Sequence, residues 1–87
     1  MLYELTFLIK EESELKNIKD LIVSNSGQIK KEESWGEKTL SFPIKKNRTA
    51  KFYNYFIEME KKNVTEIRKK LNFSENLLRF LLLISES

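Results

Sequence analysis

Apolar residues recur along this chain with two different periods. Over Leu2–Ile9 they alternate, with Tyr3, Leu5, Phe7 and Ile9 on one face and Glu4, Thr6 and Leu8 on the other, the period of a strand with one buried side. The spacing then changes to three and four residues through Leu15, Ile18, Leu21 and Ile22. That change predicts a helix of about 13 residues, capped by Ser13, with Glu14 in its first turn and Gly27 ending it in a left-handed conformation. A second strand begins at Gln28 and Ile29, is interrupted by the charged Lys30-Lys31-Glu32-Glu33, and resumes from Trp35 to Ile44, with Gly36 a bulge or bend. Leu40, Phe42 and Ile44 alternate there with Thr39, Ser41 and Pro43. After the polar break Lys46-Asn47-Arg48, an aromatic strand runs from Lys51 to Met59, so the two strands predict a hairpin.

Pro43 has no N–H to give a ladder, which places the second strand at a sheet edge. The third strand puts Tyr53, Tyr55, Ile57 and Met59 on one face and Phe52, Asn54, Phe56 and Glu58 on the other. Two such faces suit a central strand. Asn63 with Glu66 three residues on reads as a capping box, followed by the stripe Val64, Ile67, Leu71 of a second helix, with Arg68, Lys69 and Lys70 turned outward. After a turn over Asn72–Asn76, the run Leu77–Ile84 is apolar except for Arg79, which predicts a last strand near the middle of the sheet or against another surface. The order strand, helix, strand, strand, helix, strand predicts one α+β domain over residues 1–87. Two right-handed crossovers make it a ferredoxin-like split βαβ sandwich, with four antiparallel strands and both helices on one face. The open face would carry Leu8, Phe52, Phe56 and Leu81 or its strand neighbours, more exposed apolar area than a soluble monomer usually shows.

Composition narrows what that face can do. At 87 residues and 40% hydrophobic content the chain supports one core. No apolar run is long enough to span a bilayer, and Met-Leu-Tyr-Glu-Leu does not read as a secretion signal, so the expected compartment is the cytoplasm, with no membrane partner. Without cysteine or histidine the chain lacks thiolate ligands, disulfides and the commonest general base, so no catalysis, metal, cofactor or small-molecule substrate is expected. Glu11-Glu12 and Glu32-Glu33 are adjacent carboxylates that face opposite ways on a strand and read as solvated. The formal charge is +3 and the basic residues are 13 Lys and 3 Arg. Lysine point charges suit phosphates better than base edges. Lys45, Lys46, Arg48 and Lys51 cluster about the hairpin loop, where they would either reach a phosphate backbone or keep an edge strand soluble. Trp35 reads first as core or hairpin clamp and second as a stacking group for RNA.

Tyr3-Glu4 at the start of the first strand, Trp35-Gly36 followed by Leu40, Phe42, Pro43 and Ile44, then Lys46, the aromatic strand from Phe52, Glu58, Asn76 and Arg79 carry a resemblance along essentially the whole chain. It resembles small-subunit ribosomal protein six of bacteria and organelles. The resemblance implies a non-enzymatic constituent of the small ribosomal subunit that binds the central domain of small-subunit rRNA together with ribosomal protein eighteen. It further implies RNA contacts from the start of the first strand (Leu2, Tyr3) and from the stretch Lys69–Arg79, in which Lys69, Lys70 and Arg79 are the cations. The same three charges also complement a helix dipole or a strand edge. Leu2 stands where the family commonly has arginine, Leu77 and Leu78 lie where a basic residue is frequent, and Ala50 replaces a usual glycine. Fewer charges predict fewer phosphate contacts and a shallower salt dependence. The sequence ends at Ser87, directly after the last predicted strand. The expectation is therefore that the sheet face, through Leu8, Phe52, Phe56 and Leu81, or a sheet edge carries more of the protein interface that other members share with a C-terminal extension. The rival readings are a ferredoxin-like regulatory or dimerisation module acting through the same face, and an RNA-recognition motif. Lys51-Phe52-Tyr53-Asn54-Tyr55-Phe56 has the aromatics of the latter's signature but lacks its small residues.

Overall fold

The computed structural model describes residues 1–74 and 77–85. The elements are β1 (Leu2–Ile9), α1 (Glu14–Ser24), β2 (Gln28–Ile44), β3 (Asn47–Glu58), α2 (Lys61–Asn72) and β4 (Leu77–Ile84). The strands form one antiparallel sheet in the order β2-β3-β1-β4. This is the ferredoxin-like split βαβ fold that the element order predicts.

Strand alternation builds the core. Tyr3, Leu5, Phe7 and Ile9 of β1, Tyr53, Tyr55 and Ile57 of β3, and Leu82 of β4 all point to one side, where Ile18 and Ile22 of α1 and Ile67 and Leu71 of α2 cover them in a single apolar cluster. Phe7 is at its centre, stacked on Tyr53 with centroids 5.5 Å apart and edge-on to Tyr55 at 5.1 Å. Such aromatic pairs add about 0.5–1.5 kcal/mol beyond their burial. Burial pushes the Tyr55 phenol pKa well up, and the neighbouring Glu32 carboxylate adds to the shift.

Pro43 lies in an edge strand and β3 is central, as the sequence predicts. Several details differ. β2 is one continuous strand whose charged residues Lys31–Glu33 stay in the ladder with β3 while Lys30 falls at a register shift, because an edge strand keeps one side in water and tolerates the charges there. Gly36 sits at φ 81° beside a register shift, so the expected bulge is present. β4 is the other edge strand rather than a middle one, and Leu81, Leu83 and Ile84 are exposed on it. Ser13 is already helical and makes no side-chain cap; the chain enters α1 through a turn in which Glu14 and Leu15 N–H donate to the Glu11 and Glu12 carbonyls. Asn63 lies inside the first turn of α2 and donates its own N–H to Glu60 O, so no capping box forms. The stripe Val64, Ile67, Leu71 nonetheless faces the core.

The left-handed residue after α1 is Ser26 (φ 64°), not Gly27. Ser26 N–H donates to Val23 O and Gly27 N–H to Ile22 O, the paired bonds of a Schellman ending. Gly27 is required for a different reason: a Cβ there would lie 2.8 Å from Ile22 Cγ2 and 3.0 Å from Ile22 O. The turn expected over Asn72–Asn76 extends to residues 75 and 76, outside the described residues.

Candidate nucleic-acid and partner interface

Two adjoining surfaces carry the residues singled out from sequence. The first is the end of the sheet where the β2–β3 hairpin turns. Ile44 pairs with Asn47, so the turn itself is Lys45-Lys46, and both lysines hold positive φ, 48° and 69°. Asn47 stabilises it by donating its side-chain amide to the Ile44 and Lys45 carbonyls at 3.3 and 3.1 Å. Lys45 reaches across the sheet end and donates to Leu77 O at 3.2 Å, at the start of β4. Lys45 and Arg79 thereby line one groove of about 270 Å³ with Asn72, Ser74 and Phe80. Lys46 and Arg48 are exposed beside it.

The remaining predicted cations lie elsewhere. Lys51 is half-buried, opposite Ile9 and Glu37, with the parity of Tyr53 and Tyr55 that faces the helices. Lys69 and Lys70 are exposed in the last turn of α2, and Lys70 donates to Asn25 Oδ1 beyond the end of α1. Tyr3 is a correction: only 3% exposed, it packs in the core and its hydroxyl donates to Met1 Sδ at 3.5 Å, so it offers RNA no surface. Its side-chain parity is that of Leu5 and Phe7, which settles its direction.

The second surface is the open face. Leu8 is opposite Phe52 on one side and Arg79 on the other. A bulge of β2 over Leu40–Pro43 brings Leu40, Phe42, Pro43 and Ile44 beside them, making a groove of about 440 Å³ in which Phe42 is 81% exposed. Arg79 borders both grooves. Leu81, 55% exposed, follows opposite Thr6, and Leu83 opposite Glu4. Phe56 is set apart from Phe52 by Asn54, whose amide donates to Glu4 Oε2 and Thr6 Oγ1, both at 2.9 Å. The four residues expected to meet a partner, Leu8, Phe52, Phe56 and Leu81, thus share a face but not one continuous patch: a hydrogen-bonded polar centre around the buried Asn54 divides it.

Residues 2–83 match the family model described as Ribosomal protein S6. The chain belongs to the ribosomal protein S6 family. Small ribosomal subunit protein bS6 of Methylobacterium sp. (strain 4-46) is 38% identical over 87 residues, covering 92% of this chain and 65% of its own length. The bS6 of Rickettsia prowazekii (strain Madrid E) is 30% identical over 92 residues, covering 98% and 76%. The crystal structure of 30S ribosomal protein S6 from Thermotoga maritima superposes with a TM-score of 0.81 at 19% identity, over 94% of this chain and 84% of that one. This chain spans just under two thirds of the length of the Methylobacterium relative.

In this member of the S6 family the Trp-Gly pair does not fill the core, against the first expectation for Trp35. The bulge at Ser34–Gly36 releases Trp35 to the open face, 44% exposed. Its Nε1–H donates to Glu33 Oε2 at 3.2 Å, while Lys31 pairs with Glu33 Oε1 at 3.1 Å. Those two bonds, Lys31 first, hold the Glu33 carboxyl below the usual glutamate range. Lys38 Nζ stands over the Trp35 and Phe52 rings at 5.8 and 5.3 Å, and Lys31 Nζ is 5.9 Å from the Phe56 centroid. Sequence reading missed these lysines. Part of their signal was present in β2, where Lys31 and Glu33 share the outward parity and the bulge at Gly36 shifts Lys38 onto the same face. Among the described residues no helix is long and apolar enough to cross a membrane.

Proposed function

We propose that this chain is a structural, non-enzymatic constituent of the small ribosomal subunit in the cytoplasm. It binds the central domain of small-subunit rRNA together with ribosomal protein eighteen. Membership of the S6 family over residues 2–83 carries this reading, and the names and fold of the relatives support it.

The division of labour follows from the two surfaces. Lys45, Lys46, Arg48 and Arg79 form the phosphate-contacting rim, where cations at a hairpin tip neutralise a polyanion without reading bases. Lys51, Lys69 and Lys70 lie off this rim and add longer-range attraction. The apolar open face, with Leu8, Phe52, Phe56 and Leu81, covers the protein partner. Arg79 touches both grooves and ties the two contacts together.

Sedimentation of a cell extract through a sucrose gradient in moderate salt tests the reading. Stoichiometric migration with the small subunit is the expected result. A peak at the top of the gradient, sized as a dimer, would overturn it in favour of a self-associating regulatory module.

A further inference from the structure

Trp35 lies on the β2 flank of the open face, beyond the four residues assigned there to the protein partner, and neither contact of the proposed function uses it. On the reading that RNA is a ligand of this chain, we propose that Trp35 is a stacking platform for an unpaired nucleobase of single-stranded RNA, with Lys38 placed to take the adjoining phosphate.

Three observations converge on it. The indole is 44% exposed and lies outside the apolar core, so packing does not account for it. Its plane is nonetheless anchored: the Nε1–H bond to Glu33 fixes one edge, and the opposite oxygen of that carboxylate is held by Lys31. Gly36 beside it turns the strand at φ 81° into open space, where a Cβ would meet nothing within 4 Å. A ring oriented before binding pays less entropy when a base stacks on it.

Charge selects the ligand. Glu33 is balanced by Lys31, whereas Lys38 has no carboxylate within ion-pair distance among the described residues, yet sits over two rings. An apolar protein surface laid here would bury that ammonium unpaired, which is costly. A nucleotide offers a π-face to the indole and an anion to the lysine, the combination that single-strand binding proteins use.

The chain's only tryptophan reports on its own contact. The full chain is titrated in low salt with a short oligouridylate, following Trp35 emission and the anisotropy of a fluorophore on the RNA. Saturable quenching with the same midpoint as the anisotropy change is expected. Trp35→Ala should weaken binding roughly tenfold, within the range for loss of one base–aromatic stack, and Trp35→Phe should recover most of that loss. Neither should shift the thermal midpoint, because the ring is outside the core. Binding seen by anisotropy with unchanged Trp35 emission, or undiminished binding by Trp35→Ala, overturns the stacking site while leaving the basic rim as the RNA contact. Failure to bind oligouridylate when a small-subunit rRNA fragment is bound also overturns it. Failure to bind either RNA, with or without the partner protein, overturns this site and the RNA reading together. Concentration-dependent quenching without RNA, with sedimentation as a dimer, assigns the surface to a second copy and overturns it as well.

Discussion

Ser26 and Gly27 exchange the roles their residue types suggest. Ser26 holds φ 64° with a side chain that disfavours it, while Gly27 holds an ordinary φ in a space too small for a Cβ. Ser26→Gly should therefore stabilise the fold by about 0.5–1 kcal/mol, by relieving the left-handed strain at C′. Gly27→Ala should destabilise it by about 1–3 kcal/mol, as an overpacked position whose nearest atoms include backbone. Urea midpoints of the two variants check both signs. A glycine after a helix reads as its left-handed ending, so the sequence made the termination legible but placed it one residue late: close approach of Ile22 leaves no trace in local spacing. Tyr55 gives a second test at this scale. Its raised pKa keeps the phenol neutral in the native state, whereas in the unfolded chain it ionises near its ordinary value of 10.0. Above that pH the unfolded state binds fewer protons, so stability falls as pH rises. Tyr55→Phe should flatten the decline of the urea midpoint between about pH 9 and 11 relative to the parent chain, after which a steeper or unchanged decline would contradict the buried neutral phenol.

Among the elements, the β2–β3 hairpin joins stability and function most directly. Two-residue turns with positive φ at both positions favour Asn-Gly, and this chain has Lys45-Lys46. A non-glycine residue in that region costs roughly 1 kcal/mol. The double change Lys45→Asn with Lys46→Gly should raise stability by about 1–2 kcal/mol on that estimate and reduce affinity for rRNA. Because two charges of the proposed phosphate-contacting rim are lost, the slope of log affinity against log salt should shrink by up to about 2. A stabilised variant that binds RNA as before, with an unchanged slope, would show that the tip touches no phosphate. Strand existence, the edge position of β2 and the bulge at Gly36 were legible because Pro43, Gly36 and the alternating aromatics each act locally. The position of β4 was not. Leu77–Ile84 is apolar on both faces, which reads as burial on both sides, whereas in the isolated chain Leu81 and Leu83 remain exposed on an edge strand. Local sequence does not distinguish a residue buried by its own chain from one buried by a partner.

That ambiguity becomes a test at the scale of the whole molecule. The two faces of the sheet obey opposite demands: one holds Leu82 at 3% exposure against the helices, the other leaves Leu81 at 55% and Phe56 half-buried beneath Lys31. An aspartate at Leu82 would be buried without a partner, at a cost that exceeds what a domain of this size can absorb. Leu82→Asp should therefore fail to give a cooperative unfolding transition. Phe56→Asp and Leu81→Asp place the same charge where water still reaches it. Phe56→Asp stands directly opposite Glu4, so it should cost slightly more stability than Leu81→Asp, within about 1 kcal/mol for a like-charge pair across strands. Both should keep the native circular dichroism and lose affinity for ribosomal protein eighteen, by 2 kcal/mol or about 30-fold if either residue is a buried anchor of the interface. Calorimetric titration of the folded variants with the purified partner separates the outcomes. Retained affinity in both would remove the open face from the interface and move it to the β4 edge or the hairpin rim, whereas unfolding of Phe56→Asp would mean that the polar centre at Asn54, Glu4 and Thr6 depends on the Phe56 ring beside it.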